Sequence, residues 1–358
     1  MKYILSGGGT GGHIYPALAI AEEIKKRDAS SKILYVGKIG GLEEELAKKA
    51  GFEFKGVHIE GLPRKKINIQ TAITMFALLK GLRECDKIIK TFKPDVVIGT
   101  GGYVCAPVVM KAQQKGIKTI IQEQNAYPGK TNKFLAKKAS LLALNFKEAE
   151  KYMENKNIII TGNPVREDFA LMNREEARKS LNLKDDEKLV LSFGGSGGQE
   201  STNDAVLDIL KKKLDFKLVH ITGKPHYENF VSEMTENENA EILNYSDEIP
   251  KYMLASDLVI ASSSAMTLAE ISQVGRASIL IPKAYTAGNH QYYNAMSYKE
   301  GGASVVISED ELTGDKLLES IISLLEDKDK IDVMAENSKK LGNPDAVKKL
   351  VDEILKLV

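Results

Sequence analysis

His13 closes GGGTGGH, residues 7–13, where a glycine-rich turn follows the apolar run KYILS and precedes a helical pattern. A second such turn, GGSGG at 194–198, follows KLVLSF and precedes another helix. Turns of this kind let backbone N–H groups approach an oxyanion at the positively polarised N-terminus of a helix. In a helix's first turn an imidazolium is disfavoured, so the ring stays neutral and can accept a proton near neutral pH. A histidine that only caps the helix is the plainer alternative; the flanking glycines favour chemistry. Two such units, about half the chain apart, imply two nucleotide-binding domains facing each other across a cleft.

Other residues fit the same reading. GTGGY at 99–103 follows DVVIG and should share a strand-end face with the first turn, where together they could cradle a diphosphate. Gly7, Gly9 and Gly12 spell G-x-G-x-x-G, but the second strand runs into Gly37 and Lys38 where a dinucleotide site wants an acid. NPVR at 163–166 supplies Arg166, whose planar fork suits phosphate, although it could be an ordinary surface arginine. SSSAMTLAE at 262–270 passes from a strand into a helix. Its hydroxyls and first turn suit a phosphate, and Glu270 can reach ribose hydroxyls or simply face solvent. GKT at 129–131 has Gln124 where a Walker motif needs glycine, so it reads as a helix start. Asp327 and Asp329 read as a charged helical face. No His, Cys or carboxylate group has metal-ligand spacing, and no metal cofactor is expected.

The elements that position these residues alternate along the chain. KYILS, KILYVG, FKGVHI, DVVIG, KTIIQ and LLALN read as strands in the first half. KLVLSFGG, KLVHITG, AEILN, DLVIAS, ASILIP and SVVI do so in the second. Helical patterns at 14–26, 42–49, 71–92, 130–138, 202–213 and 266–274 intervene, which predicts α/β domains with parallel sheets covered on both faces. Gly162-Asn163-Pro164 interrupts the pattern and marks a boundary. The last helix, opened by Pro344, is amphipathic through Val347, Leu350, Val351, Ile354, Leu355 and Val358.

The chain of 358 residues is long enough for two cores, and its two cysteines fit a reducing, cytoplasmic setting. The net charge of +1 is uneven. Residues 1–163 hold 27 Lys and Arg against 15 Asp and Glu, a net +12, and the remainder holds 23 against 34, a net −11. A basic half suits a phosphate-rich polymer or an anionic membrane, or it is a solvated surface complementing the acidic half. Nucleic acid is disfavoured, because Trp is absent and aromatics total 6%. In 69–92 an apolar stripe runs through Met75, Leu78, Leu82, Cys85, Ile89 and Phe92, as a core-facing helix requires. Ile69, Ile73, Phe76 and Leu79 lie off that stripe, beside Arg64, Lys65 and Lys66. That patch suits shallow insertion into an anionic leaflet, unless a larger core buries both faces.

GGGTGGH, GTGGY, QEQN, GNPVR, FGGSGG, SSSAMTLAE and NHQYYNA occur in this order and spacing over nearly the whole chain. In that combination the sequence resembles the MurG family of peptidoglycan glycosyltransferases. The resemblance implies a GT-B fold of two Rossmann-like domains. Residues 1–163 would take the acceptor, lipid I, and meet the membrane, with the helix at 342–358 packing back on them. Residues 164–341 would bind the donor, UDP-N-acetylglucosamine. It implies an inverting transfer that makes lipid II, at the cytoplasmic face of the bacterial membrane, with other cell-wall synthesis proteins as further partners. Arg166 and Ser196 would hold the donor diphosphate, with Ala265, Met266 and Thr267 at the next helix start. Glu270 would bind the ribose, Ser246 would lie near the uracil, and Gln291 and Asn294 would bind the sugar. Gly9, Thr10, Gly101, Gly102 and Tyr103 would bind the acceptor, and Thr10, Gly11, Gly12, His13 and Asn125 would also bind the UDP-sugar, with His13 as base at the reaction centre and Glu123 in reserve. Gly197, Ser262 and His290 depart from the family's usual residues. A UDP-N-acetylglucosamine 2-epimerase of similar fold is the alternative, separable by whether UDP release needs the lipid acceptor.

Overall fold

The computed structural model describes residues 1–61, 69–165, 169, 172–195 and 197–357, the side chains of 69–76 apart. Arg64, Lys65, Lys66, Arg166, Ser196 and the side chains of Ile69, Ile73 and Phe76 therefore lie outside the described residues. The chain divides into two compact units, Met1–Val165 with Pro344–Val358, and Arg166–Asn343.

In the first unit, β1 (Lys2–Gly7), β2 (Lys32–Lys38), β3 (Glu53–Val57), β4 (Val96–Gly101), β5 (Lys118–Glu123), β6 (Leu141–Leu144) and β7 (Ile158–Ile160) form one parallel sheet. Its order is β3-β2-β1-β4-β5-β6-β7. The helices are α1 (Gly11–Arg27), α2 (Leu42–Lys49), α3 (Ile69–Phe92), α4 (Gly102–Gln114) and α5 (Lys130–Ala136). Strand residues alternate between two apolar layers. Tyr3, Leu5, Tyr35, Val96 and Ile98 pack under Ile14, Ala17, Ile20 and Ile24 of α1. Ile4, Leu34, Val97 and Ile121 pack under Cys85 and Ile89 of α3 and Val104, Cys105 and Val108 of α4. Both faces are covered, so the strands read as continuous apolar runs. Cys85, Ile89 and Phe92 of the α3 stripe thus face the core, as its spacing predicts.

The second unit holds β8 (Leu189–Phe193), β9 (Lys217–Ile221), β10 (Ala240–Leu243), β11 (Leu258–Ala261), β12 (Ala277–Leu280) and β13 (Ser304–Val306), in the order β10-β9-β8-β11-β12-β13. All its described pairs are parallel. Its helices are α6 (Arg174–Ser180), α7 (Glu200–Leu210), α8 (Tyr227–Glu233), α9 (Ile249–Ala255), α10 (Ala265–Val274), α11 (His290–Glu300), α12 (Gly314–Glu326) and α13 (Lys328–Leu341). Asp327, from the acidic pair, caps α13 by accepting from Lys330 N–H. The final helix, α14 (Ala346–Lys356), belongs to the first unit, where Leu350, Val351 and Ile354 join the layer beneath α1. Arg27, held by Glu23 of its own helix, anchors it through Asp352 and the Lys348 carbonyl.

His220 of β9 is wholly buried, with Nδ1 3.0 Å from Ser192 Oγ and Nε2 3.1 Å from Asn203 Oδ1. Burial pushes its pKa down to about 3, against an opposing hydrogen bond to Ser192. The unfolded chain takes up this proton near pH 6.5, while the folded chain resists until about pH 3. Stability is therefore lost as pH falls through that window, by about 1.4 kcal/mol per pH unit for this group. Denaturant titrations between pH 7 and pH 4.5 should show this slope, reduced by about one proton in His220→Gln. An unchanged slope in that variant assigns the acid sensitivity to other groups.

Candidate functional site

In each unit, two strands that are not consecutive in sequence lie side by side: β1 with β4, and β8 with β11. At such a switch point the loops leaving the carboxyl ends diverge and open a crevice. The motifs gather there. In the first unit the turn after β1 meets the one after β4, with Gly7 paired to Gly101 and Gly8 N–H donating to the Gly101 carbonyl. Glycine is required at Gly102, where φ is +77° and a Cβ would stand 2.2 Å from the Gly8 oxygen. A Cβ on Gly101 would come within 2.8 Å of His13 Nδ1, so this turn makes room for the imidazole.

His13 stands half-buried in the first turn of α1, after Thr10 at the N-cap. Its carbonyl accepts from Thr100 Oγ1 at 2.6 Å, and its Nδ1 lies 3.0 Å from Gln124 Oε1. Gly9 and Thr10 are exposed; Gly11, Gly12, Gly102, Tyr103 and Asn125 are half-buried. The Tyr103 ring lies beside Gly9 and Gly61. The residues expected to meet the acceptor share one strand-end face of the first unit.

Glu123, expected as the reserve base, is enclosed in this structure. Its buried carboxylate accepts Asn125 N–H at 2.9 Å, Asn125 Nδ2 at 3.1 Å, Gly129 N–H at 3.1 Å and Asn132 Nδ2 at 2.9 Å. Four donors enclose it, so Glu123 holds the loop from β5 to α5 together.

Glu43 was not anticipated. It rises from the first turn of α2, is 1% exposed, and accepts from Lys38 N–H at 2.9 Å and Gly9 N–H at 3.3 Å. A Cβ on Gly8 would stand 2.7 Å from its carboxyl group. The first glycine turn is therefore no empty diphosphate cradle: a carboxylate of the chain already occupies one side of it. The three acids at 43–45, after Gly40-Gly41, were the only signal in the sequence.

In the second unit, the glycine turn after β8 abuts the loop after β11, where a Cβ on Gly195 would lie 3.5 Å from Ser262 Oγ. Gly198 has φ of +72°, and a Cβ there would strike the Thr222 oxygen at 2.0 Å. Ser264 caps α10, its Oγ taking Thr267 N–H at 3.3 Å and lying 2.8 Å from Thr267 Oγ1. Ala265, Met266 and Thr267 have buried side chains, so a helix N-terminus is what this turn offers an anion. Glu270 is half-buried further along α10, and Ser246 follows β10, its Oγ accepting Glu248 N–H.

Two expected sugar contacts prove to be partly or wholly engaged within the unit. Gln291 Oε1 accepts Lys283 N–H at 3.0 Å, which leaves Nε2 as its available donor. Asn294 is 0% exposed and donates to the Ser263 carbonyl at 3.1 Å. A fully enclosed amide cannot line a crevice, so in this structure Asn294 supports the Ser263 loop. The sequence reading also missed Lys283, whose Nζ donates to the Gly198 carbonyl at 2.6 Å. Burial pulls its pKa down, opposed by the charge of Glu309. A partly desolvated cation thus stands beside the second glycine turn. Its signal was a lone lysine after Pro282, at the end of an apolar strand.

Among the described residues no group of three or more His, Cys, Asp or Glu could hold a metal ion. None of their helices is long and apolar enough to cross a membrane.

Comparison with known proteins identifies the architecture. Residues 3–143 match the glycosyltransferase family 28 N-terminal domain, and residues 189–350 match the glycosyltransferase family 28 C-terminal domain. A crystal structure of Acinetobacter baumannii MurG superposes with a TM-score of 0.81 at 24% identity, covering 99% of each chain. A UDP-GlcNAc 2-epimerase from Neisseria meningitidis does so at 0.70 and 14%, covering 99% of this chain and all of that one. At these identities the likeness is one of fold, the GT-B architecture. Sequence separates the two. The UDP-N-acetylglucosamine--N-acetylmuramyl-(pentapeptide) pyrophosphoryl-undecaprenol N-acetylglucosamine transferase of Finegoldia magna is 44% identical over all of this chain and 98% of its own. The enzyme of the same name from Clostridioides difficile is 42% identical over all of this chain and 89% of its own. The chain belongs to glycosyltransferase family 28 and, within it, to the family of these N-acetylglucosamine transferases.

Proposed function

We infer that the chain transfers N-acetylglucosamine from UDP-N-acetylglucosamine to undecaprenyl-diphospho-muramoyl pentapeptide, lipid I, with inversion at the anomeric carbon, giving lipid II and UDP. The observation that carries this reading is full-length identity of 42–44% to transferases named for that reaction. Likeness to an epimerase in fold alone carries no function.

In this reading the second unit takes the donor. Its glycine turn, the N-terminus of α10 and Lys283 supply positive potential, and Arg166 adds a permanent cation. Glu270 accepts from the ribose hydroxyls, Ser246 lies near the base, and Gln291 Nε2 donates to the sugar. The first unit takes the acceptor around Thr10, His13, Tyr103 and Asn125. The muramoyl C4 hydroxyl attacks the anomeric carbon while UDP leaves from the opposite face, and His13 accepts the hydroxyl proton. Charge developing on the diphosphate meets preorganised donors, so no metal is required.

Attachment to the membrane is peripheral in this reading. Leu79, off the core stripe of α3, is 52% exposed, and the segment before α3 carries Arg64, Lys65 and Lys66. Each basic residue near an anionic leaflet contributes about 1 kcal/mol. The first unit's strong positive charge points the same way.

Glu270→Ala should weaken UDP-sugar binding by about 1.5–3 kcal/mol, the scale of a hydrogen bond to a charged group. A 2′-deoxyribose donor tests the contact itself. Wild type should discriminate against it, and the variant should show little further loss. Equal discrimination by both chains removes Glu270 from the ribose. For the reaction as a whole, UDP release should be negligible from the sugar nucleotide alone and rapid once lipid I is added.

A further inference from the structure

We propose that Gln124 is a positioning residue that fixes the tautomer of His13, so that Nε2 is the atom presented to the acceptor hydroxyl. The proposal rests on the reading of His13 as proton acceptor and deepens it. Gln124, buried in the loop after β5, has its Nε2 surrounded by acceptors: the Thr100 carbonyl at 2.6 Å, the Gln122 carbonyl at 3.2 Å and Gln122 Oε1 at 2.5 Å. A flipped amide would set an oxygen against three oxygens, so the orientation is determined. Oε1 therefore faces His13 Nδ1 at 3.0 Å. An amide oxygen only accepts, hence the ring carries its hydrogen on Nδ1 and its lone pair on Nε2.

The constraint extends one residue further. Gln122 Nε2 donates to Asn163 Oδ1 at 2.9 Å, which turns Gln122 Oε1 toward Gln124. Three buried amides thus run in series from the GNPVR motif to the imidazole, each setting the next. Left to water, a neutral imidazole favours the hydrogen on Nε2, which would aim the lone pair at Gln124 and Gly101. A carboxylate in place of Gln124 would also order the ring, but would hold it as imidazolium. An amide orders it and leaves it neutral.

In the transfer, the hydroxyl oxygen bonds to the anomeric carbon and the bond to UDP breaks, its electron pair leaving on the diphosphate. The hydroxyl proton moves to Nε2. The Nδ1 proton stays in place, donated to Gln124 Oε1 before and after.

The test reads the ring directly. Long-range proton–nitrogen spectra of 15N-labelled wild type at pH 8, with His13 assigned by its loss in His13→Gln, should show Nδ1 protonated and Nε2 bare. Gln124→Met should move the ring toward the Nε2-protonated form and lower kcat roughly ten- to hundredfold, with donor KM within about twofold. A wild-type ring protonated on Nε2 overturns the proposal, and this result needs no Gln124 variant to fold. Full kcat in a Gln124→Met chain whose tautomer has shifted overturns it equally. Full turnover in His13→Gln would instead defeat the reading of His13 as base, whatever the spectrum shows.

Discussion

Replacing His13 with alanine should lower turnover about 10²–10⁴-fold and leave UDP affinity nearly unchanged. The split follows from position. His13 stands in the first unit at the β1–β4 switch point, whereas the donor groups are assigned to the second unit. On the proposed reading, loss of the imidazole removes the acceptor for the hydroxyl proton, while the Glu123 carboxylate already accepts four donors. The measurement is kcat with saturating lipid I beside a UDP titration. A variant that keeps most of its turnover makes His13 a helix-capping residue and leaves the base unassigned.

Arg166→Ala should cost about 3–4 kcal/mol of transition-state stabilisation, on the order of a hundred- to thousandfold in rate, by analogy with removing one preorganised donor. Arg166 is proposed as the group that faces charge developing on the departing diphosphate. Lys283 stands beside the glycine turn but is committed to the Gly198 carbonyl, so it supplies background potential and does not substitute. The wild type should be indifferent to EDTA. Undiminished turnover in Arg166→Ala, or loss of wild-type activity with EDTA, contradicts the assignment of charge stabilisation to protein groups.

Much of the architecture was legible because parallel strands covered on both faces are apolar throughout. KYILS, DVVIG and LLAL could hardly be anything else, and the glycine turns mark where each strand hands over to a helix. Less was visible where local pattern is weak. The helix α4 begins at Gly102 and contains Pro107, and it forms because the turn before it is pinned to Gly8. β7 is three residues long and is ordered by pairing with β6.

The site divides in the same way. The positions of His13 and of the SSSAMTLAE segment at strand-to-helix turns could be read from the sequence, because the pattern changes there from an apolar strand to a helix. Glu43, Gln124 and Lys283 could not, since their roles arise from partners 34, 111 and 85 positions away. Gln124 is a plain amide until the three oxygens around its nitrogen fix which way it faces. Glu123 adds a further case: its sequence position in QEQN does not show the four donors that its carboxylate meets in the fold.

The central claim is sugar transfer to a lipid-linked acceptor, and one measurement tests it most directly. Purified chain is incubated with lipid I, UDP-N-acetylglucosamine labelled in the sugar, and EDTA, and the label is followed into the lipid phase while free UDP is measured. The account predicts one labelled sugar on lipid for each UDP released, in β linkage, and almost no UDP without lipid I. UDP and free N-acetylmannosamine formed without the lipid, with none of the label in the lipid phase, would contradict it and assign the chain an epimerase reaction.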